Sequence, residues 1–347
     1  MKKLRIAVLM GGLSSERDIS LSTGRMILDA LNRDKYDVVA VDAARITGSM
    51  TLAQKGSNTR VAAVVEAERA LAKFGPLKSI SEVAADEDLR PDVAFIALHG
   101  RYGEDGTIQG LLELLGIPYT GSGVLASALA MDKIMTKRLF RAEGIPVPPS
   151  VDLENRGELS SRDVLAEVSD LGYPVIVKPN RQGSTIGMTK VEQERDLLPA
   201  ISEAFNFDSK VLVEKFINGV EITVGLLGNE EPEILPIVEI VPAKGFYDYE
   251  AKYTPGATDE ICPARIPEAA AEDARRIALA AHKALDCRGM SRVDMILAEN
   301  ELFVLEVNTI PGMTPTSLLP TAAKAAGIEF PELLDRLINL ALDNEDR

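Results

Sequence analysis

The sequence predicts an α/β protein with more than one domain, and three observations support that prediction. First, at 347 residues the chain is too long for one ordinary hydrophobic core, so two or three domains are expected. Second, apolar residues make up 46% of the chain and aromatic residues only 5%, a composition typical of globular α/β proteins. Third, short β-branched runs and helical stretches follow one another along the chain.

The net charge limits which ligands the protein can be expected to bind, and the cysteine content predicts its cellular compartment. The formal net charge of −15 argues against DNA or RNA as the main ligand, but it leaves room for a nucleotide bound by a few lysines and backbone amides. Cys262 and Cys287 have neither metal-ligand spacing nor a disulfide framework, which predicts a reducing cytoplasm. The N-terminal apolar run is too short for a signal peptide, and no run is long enough to span a membrane, so no membrane partner is expected.

The first predicted element is a strand over residues 5–10, which turns at Gly11-Gly12 into a helix that runs to residue 31. Glu16 and the two serines before it are suited to cap that helix. A strand, a glycine turn and a helix N-terminus form the usual ligand-binding corner of an α/β sheet. A plain tight turn is the commoner explanation of a Gly-Gly pair alone.

The next segment combines a strand with a region of little regular structure. A strand is predicted over residues 36–41. Residues 47–88 contain one helical stretch, 61–74, and no clear strand, so they are expected to be a surface elaboration of the first domain.

Residues 92–98 predict a buried strand that delivers His99 and a glycine-rich loop, 100–106, to its carboxyl end. Open α/β sheets bind ligands at that end, so His99 is a site candidate, although a lone histidine is at least as often structural. Residues 117–123 resemble a linker, and a single helix is predicted over residues 125–142.

The middle of the chain combines a lysine with a flexible loop. A strand over residues 173–179 carries Lys178 near its end, and the loop at 180–188 is rich in glycine and hydroxyl groups. Such a loop can cover a polyphosphate while the lysine supplies a point charge, and an ordinary mobile loop is the alternative. Two more strands are predicted over residues 210–217 and 219–227.

A hairpin over residues 291–308 carries the strongest metal signal. If its turn centres near Asn300, Asp294 lies opposite Glu306, and Asn308 lies on the same face as Glu306. Facing acids repel unless a cation lies between them, and an all-oxygen set suits Mg²⁺ better than zinc. A solvated hairpin face with scattered acids is the alternative. Arg292 and the Pro311-Gly312 turn favour the metal hypothesis, because a cation and free amides suit an anionic reaction centre.

The polar, aromatic segment at 246–256 is predicted to be a lid. Helices are predicted at 267–285, 320–326 and 331–342. The first of these helices precedes the hairpin in the sequence, and the other two follow it.

Six motifs are spread along the chain: GGLSSER at 11–17, HG at 99–100 with GEDG at 103–106, YTGSG at 119–123, KP at 178–179 with GS at 183–184, YDYEAKY at 247–253, and EVNT at 306–309 with PG at 311–312. In order and spacing they resemble the D-alanine–D-alanine ligases of the ATP-grasp superfamily over nearly the whole chain. The resemblance implies a three-domain ATP-grasp architecture with an N-terminal open α/β domain, divided at 1–123, 124–218 and 219–347.

The same resemblance implies a reaction for peptidoglycan precursor synthesis. In that family ATP phosphorylates the carboxylate of one D-alanine, and the amine of a second D-alanine attacks the acyl phosphate to give the dipeptide, ADP and phosphate. The reaction needs charge neutralisation at phosphate, an oxyanion stabiliser and closure against water. The implied small molecules are ATP, D-alanine and Mg²⁺, with Mn²⁺ as a substitute ion, and the implied assembly is a homodimer.

Site residues are also implied by the matching positions. Asp294, Glu306 and Asn308 match the family's Mg²⁺ ligands. The residues that match its ATP-binding groups are Lys133, Lys178 and Lys252 at the phosphates, and Glu214, Lys215, Ile217 and Glu221 at the adenine and ribose.

The positions around the substrates match as well. Glu16 matches the acceptor of the first D-alanine's ammonium, with His99 nearby, and Ser184 and Tyr253 match a hydrogen-bonded link to Glu16 that closes the lid. Arg292 and the Gly312 amide match the groups that contact the oxyanion. Ser317 and Leu318 match the contacts to the second substrate's carboxylate. Tyr253 favours the dipeptide, since relatives that make D-alanyl-D-lactate often lack tyrosine there.

Two features depart from the family pattern. Gln182 stands where relatives commonly carry an acid, which is expected to alter loop electrostatics without touching the chemistry. The elaboration at 47–88 is longer than in compact members.

Three other functions fit this sequence less well than the ligase. Another ATP-grasp carboxylate–amine ligase is disfavoured by Glu16, Ser184 and Tyr253 together. A non-catalytic Mg·ATP-binding protein would not need Arg292 as an oxyanion group. A dinucleotide dehydrogenase would carry G-x-G-x-x-G after the first strand, and this chain does not.

Overall fold

In the computed structural model of the chain, the described residues form three β-sheets with helices packed on them. It describes residues 3–44, 69, 71–75, 77–155, 161–243 and 256–343. Most of the helix predicted at 61–74 and nearly all of the lid predicted at 246–256 lie outside these residues. Within the described ranges, none of the helices is both long and apolar enough to cross a membrane.

The first sheet is parallel, with strand order β2-β1-β3. Its elements are β1 (Leu4–Met10), α1 (Arg17–Ala30), β2 (Tyr36–Asp42), α2 (Ile80–Ala85), β3 (Val93–Ile96) and α3 (Thr107–Leu114). All three strands were predicted from their apolar runs. Because β1 and β3 are neighbours, the Gly11-Gly12 turn and the His99 loop leave the sheet at the same carboxyl edge.

Helix α2 was not predicted, although its start carries a capping box. The Ser79 side chain accepts the Glu82 amide, and the Glu82 carboxylate accepts the Ser79 amide. The segment predicted as a linker also differs, because Tyr119 forms a parallel bridge with Ala94 of β3. Residues 118–120 therefore lie along the edge of β3 instead of simply leaving the sheet.

The single helix predicted at 125–142 is wrong, since two helices replace it: α4 (Val124–Met131) and α5 (Lys133–Ala142). Asp132 between them has an extended backbone, and its carboxylate accepts the Met135 amide at 3.0 Å as the N-cap of α5. The break makes Lys133 the first residue of a new helix. Both helices bury apolar side chains in the core of the third sheet, for example Ala126 and Phe140.

The second sheet is antiparallel, with order β4-β7-β5-β6. Its elements are β4 (Ser150–Glu154), α6 (Ser161–Ser169), β5 (Val175–Pro179), β6 (Thr189–Val191), α7 (Leu197–Ala204) and β7 (Lys210–Lys215). Valines on β5 and β7 form its core with α6 and α7. Lys178 and Glu214 lie on the two central strands, which are paired to each other.

The third sheet is the largest, and its strand path is β11-β10-β8-β12-β13, with β9 beside β8. Its elements are β8 (Val220–Gly228), β9 (Glu233–Ile234), β10 (Val238–Pro242), β11 (Thr258–Ile261), α8 (Glu268–Ala284), β12 (Gly289–Ala298), β13 (Glu301–Asn308), α9 (Leu318–Ala325) and α10 (Phe330–Leu342). Leucines of α10 share a core with the first sheet. The N-terminal and C-terminal parts of the chain are therefore packed against each other.

The predicted hairpin is confirmed as β12 and β13, with Asp294 opposite Glu306. Its turn centres between Glu299 and Asn300 and not on Asn300, because Ala298 pairs with Glu301 across a two-residue loop. Continued without interruption, that register would place Leu305 opposite Asp294. A β-bulge after Asp294 shifts the register by one residue and brings Glu306 to the predicted position.

Candidate active site

Two cavities adjoin one another between the sheets. The first, of about 410 Å³, lies between the second and third sheets. The second, of about 400 Å³, lies among the loops that follow β1, β3 and β13. Both are lined by Lys133, Gly183, Ser184 and Glu306, so these residues form a common wall.

The first cavity contains six of the seven residues predicted to bind the nucleotide. Its lining includes Lys133, Lys178, Glu214, Lys215, Ile217 and Glu221. Lys178 Nζ contacts Glu214 Oε2 at 2.5 Å, and both side chains are buried. Apolar side chains such as Ile176 and Ile296 line the cavity between the two sheets. A mostly apolar cleft with a few convergent charges suits a flat base with polar edges.

Lys133 links the cavity wall to the hairpin. As the first residue of α5 it contacts Glu306 Oε2 at 3.5 Å and donates to the Gln182 carbonyl oxygen at 2.8 Å. Asn180 fixes this end of the helix, because its side-chain oxygen accepts the Ile134 amide at 2.9 Å. The Lys133 ammonium is therefore held between the loop at 180–188 and the Glu306 carboxylate.

Asp294 of the hairpin is held by several side-chain hydrogen bonds. Arg292 donates to both of its oxygens, at 2.9 and 2.8 Å. Thr223 Oγ1 donates to Oδ1 at 2.6 Å, and Asn308 Nδ2 donates to Oδ2 at 3.0 Å. This bidentate pair orients both the carboxylate and the guanidinium at the junction of the cavities.

The donor set of the hairpin fits a hard divalent cation. Among the described residues no group of three or more His, Cys, Asp or Glu side chains converges on a metal position. Asp294 and Glu306 nevertheless face each other across the ladder, and Asn308 touches Asp294. Two carboxylates and an amide suit Mg²⁺, which usually takes its remaining ligands from water and substrate phosphates.

The second cavity brings Glu16 and Ser184 together from segments 168 residues apart. Ser184 Oγ donates to Glu16 Oε1, and Glu16 is only 5% exposed. Ser184 and Thr185 both have left-handed backbones, with φ of 49° and 57°. Such conformations are unfavourable for residues with a Cβ and cluster at functional sites. The loop predicted to cover phosphate therefore also reaches the first-domain carboxylate.

His99 lies beside this pair in a buried position. Its Nε2 is 3.2 Å from Thr23 Oγ1, and its carbonyl oxygen accepts a hydrogen bond from Ser14 Oγ at 2.6 Å. The same hydroxyl accepts the Glu16 amide at 3.2 Å, which ties the two loops together. Burial and the nearby Arg292 charge lower the pKa of His99 to about 4, so the imidazole is neutral at pH 7.

The remaining predicted residues that the structure describes also line the second cavity. They are Arg292, Asn308, Gly312, Ser317 and Leu318. Ser317 Oγ accepts the Thr314 amide at 3.1 Å, and a Cβ on Gly312 would come within 3.0 Å of that oxygen. The turn after β13 thus packs tightly against the start of α9. Lys252 and Tyr253 lie outside the described residues.

Sequence reasoning missed two titratable groups at the site. Glu104 lines the second cavity and accepts the Gly100 amide; burial, followed by the negative charge of Glu16, raises its pKa to about 8. Lys137 is buried against Glu214 behind the first cavity. The sequence contained one indication of Lys137: it lies four residues after Lys133 on one helix, so both side chains are on the same face.

Two facing antiparallel sheets, with lysines and a hairpin of paired acids between them, define an ATP-grasp ligase. The comparisons support this class and narrow it. A family model described as "D-ala D-ala ligase N-terminus" matches residues 5–122, and one described as "D-ala D-ala ligase C-terminus" matches residues 139–339. The chain therefore belongs to the D-alanine–D-alanine ligase family.

Individual relatives match over almost their full length. The chain is 47% identical over 345 residues to a D-alanine–D-alanine ligase of Pelotomaculum thermopropionicum, with 98% of each covered. It is 34% identical to the Bacillus anthracis ligase in complex with ATP, with 99% of each chain covered and a TM-score of 0.76. It is 35% identical to the VanG D-Ala:D-Ser ligase of Enterococcus faecalis, covering 98% of this chain and 100% of that one, with a TM-score of 0.80.

Proposed function

We propose that the chain divides its reaction between the two cavities, with ATP in the first and D-alanine in the second. The reaction is the ATP-dependent joining of two D-alanine molecules, with ADP and phosphate as the other products, for peptidoglycan precursor synthesis. The common wall of Lys133, Gly183, Ser184 and Glu306 is the observation that carries this assignment of roles. A phosphoryl group must meet a carboxylate where two such cavities join.

ATP is proposed to bind with its base between the second and third sheets. Lys133 and Lys178 supply positive charge toward the phosphates, and Lys252 in the lid segment would supply a third. The base and ribose are assigned to Glu214, Lys215, Ile217 and Glu221, which line the first cavity. This orientation places the terminal phosphate beside Glu306.

Asp294, Glu306 and Asn308 are the residues that would hold Mg²⁺, with Mn²⁺ as an alternative ion. Bound there, the ion would supply positive charge to the ATP phosphates. Lys133, 3.5 Å from Glu306, adds a second positive charge at the same boundary. The hairpin itself contributes oriented oxygens, and the bonds from Arg292 and Thr223 hold Asp294 in place.

The first D-alanine is proposed to place its ammonium on Glu16. Ser184 fixes that carboxylate, and the neutral ring of His99 adds no competing charge. A carboxylate oxygen of the bound D-alanine then attacks the γ-phosphorus, ADP departs and an acyl phosphate forms. Tyr253 in the lid segment would join the Glu16–Ser184 pair and exclude water from this intermediate.

The second D-alanine is proposed to bind on the opposite side of the same cavity. Its carboxylate is assigned to Ser317 and Leu318, and its free amine attacks the acyl carbon. The resulting oxyanion is stabilised by Arg292 and the Gly312 amide, and phosphate leaves with the proton that the amine nitrogen releases as the peptide bond is completed. Arg292 is suited to this role because its bidentate bond to Asp294 fixes the guanidinium plane.

Phosphate release from Mg·ATP tests this proposal. It is measured with D-alanine, L-alanine, D-alanine plus D-lactate, D-alanine plus D-serine, and no acceptor, with products identified by mass. Release that requires D-alanine and yields the dipeptide is the expected result. D-Serine is included because VanG, named as a D-Ala:D-Ser ligase, matches nearly the whole chain. Preferential formation of the mixed product would overturn the assigned acceptor.

We also propose a homodimer and a cytoplasmic location. Leu114 is 89% exposed and Leu125 is 61% exposed on the neighbouring helices α3 and α4, and exposed apolar patches often mark contacts between subunits. Light scattering should give a dimer for the native chain and a monomer for the Leu114→Glu/Leu125→Glu variant. Cys262 and Cys287 are free thiols, which fits a reducing compartment.

The division of the chain at 1–123, 124–218 and 219–347 stays a proposal for its three domains. Helices α4 and α5 belong to the central part by sequence and pack on the core of the third sheet. They would therefore join the two halves of the ATP cavity.

A further inference from the structure

Lys137 is a fully buried cation that the roles assigned above do not use. It lies on α5 one helical turn after Lys133, and its exposed fraction is 1%. It does not line either of the two cavities. Lysine is almost never buried to this extent unless a partner holds its charge, so the contacts of Lys137 need a physical explanation.

The partner of Lys137 is Glu214 on β7. Lys137 Nζ contacts Glu214 Oε1, while Lys178 Nζ on β5 contacts Oε2 of the same carboxylate at 2.5 Å. Each oxygen thus has its own lysine. Because Lys178 alone would neutralise Glu214, charge balance does not require Lys137. Its contact serves the orientation of the carboxylate instead.

The geometry points to a role at the nucleotide. Glu214 and Lys178 line the first cavity, whereas Lys137 lies behind them on a helix packed against the third sheet. We propose that Lys137 is a positioning residue for adenine recognition: it holds Glu214 Oε1 so that the carboxylate presents a fixed edge to the purine. This inference rests on the proposed function, which assigns the base to this cavity.

The charged groups facing Lys137 also make its role sensitive to pH. They are Glu214 on β7, Lys178 on β5 and Arg141 one turn further along α5. Burial lowers the pKa of Lys137 to about 8, although Glu214 opposes that change. Burial alone would raise the pKa of Glu214, but the two lysines outweigh it and lower that pKa. Above pH 8 Lys137 therefore becomes neutral while Glu214 stays charged.

Lys137→Met tests the role with little change in side-chain volume. The variant leaves a neutral Glu214–Lys178 pair, so it is expected to fold. We expect the KM for ATP to rise about tenfold, equivalent to about 1.4 kcal/mol, with the KM values for D-alanine unchanged. Discrimination between ATP and GTP should also fall about tenfold, because Glu214 no longer presents one fixed edge to the base.

The dependence of the KM for ATP on pH separates positioning from simple structural support. In the native enzyme the KM for ATP should rise above pH 8, because the charge-assisted bond from the Lys137 ammonium to Glu214 becomes the weaker bond of a neutral amine. In Lys137→Met it should be high at every pH, and in Lys137→Arg it should stay low above pH 8, since arginine keeps its charge. Arg138→Met is the matched control, because Arg138 is the next residue of α5 and pairs with Asp152 at the surface.

Two results would overturn the inference. One is a Lys137→Met enzyme with the native KM for ATP and the native preference over GTP. The other is a variant that keeps the native rise above pH 8, since another group would then be titrating. Native enzyme that releases no D-alanine-dependent phosphate would instead refute the proposed function, so the two failures are distinguishable.

Discussion

Glu16→Gln isolates the charge of the carboxylate that is proposed to bind the first D-alanine. Glutamine keeps the shape and can still accept the hydrogen bond from Ser184 Oγ, so the loop contact between the two segments should survive. The negative charge for the substrate ammonium is lost in a site where Glu16 is only 5% exposed.

The expected magnitude follows from that burial. A hydrogen bond to a charged group contributes about 1.5–3 kcal/mol, which corresponds to about 10- to 150-fold in kcat/KM for the first D-alanine. The KM for ATP should change little, because Glu16 lines only the second cavity. Steady-state ADP release at varied D-alanine and at varied ATP measures both parameters.

Asp29→Asn is the control for Glu16→Gln. It removes a carboxylate near the C-terminal end of α1, the helix that begins directly after Glu16, and there Asp29 pairs with Lys73 at the surface. Its kinetics should match those of the native enzyme. A Glu16→Gln enzyme with unchanged kcat/KM for D-alanine, or with its defect confined to ATP, would refute the assignment.

The other predictions concern the hairpin, the first-domain loop and the histidines. Glu306→Gln should keep the fold but lower kcat at least about 100-fold, as measured by phosphate release, because the boundary between the cavities loses a charge; full turnover would contradict the metal assignment. Gly100→Ala should weaken D-alanine binding in the same assay, because Gly100 has φ of +72° and a Cβ would come within 2.5 Å of Glu16 Oε2; native kinetics would count against that contact. Burial lowers the pKa of both His99 and His282 to about 4 from an ordinary value of 6.5, so the unfolded chain binds more protons between these values and the free energy of unfolding should fall as pH drops from 6.5 to 4. In urea unfolding over that pH range, the free energy of unfolding should fall less for His282→Gln than for the native chain. An equal fall in both would contradict the lowered pKa of His282.

Much of the fold was readable from local apolar runs. Strands β1, β2 and β3 and helix α8 were predicted within a few residues of their observed bounds, because burial on one or both faces leaves a clear apolar pattern. Strands β4 and β11 were missed because their sequences, SVDLE and TDEI, mix acids with few apolar residues. Helix α7 was obscured by a proline within its first turn.

Only part of the candidate site could be predicted from the sequence. Motif resemblance placed Glu16, Ser184 and Glu306 among the functional residues, and the structure brings all three to the cavities. Resemblance gave no role to Glu104 or Lys137. Their significance comes from burial and charged neighbours, which depend on how the sheets pack.

The hairpin separates what the sequence determined from what the tertiary structure decided. Alternating apolar residues around a polar turn, and oxygen-bearing side chains on both strands, are local properties that determined a hairpin with acids on each strand. Which acids face each other was decided by the bulge after Asp294, since the two-residue turn alone would have placed Leu305 there.

The remaining contacts are longer in range. Ser184 meets Glu16 across 168 residues, and Lys137 on α5 meets Glu214 on β7. No periodicity in the chain encodes these pairs, because side-chain patterns report only which face of an element is buried. The pairs form because the packing of three sheets, through cores shared by distant segments, brings those faces together.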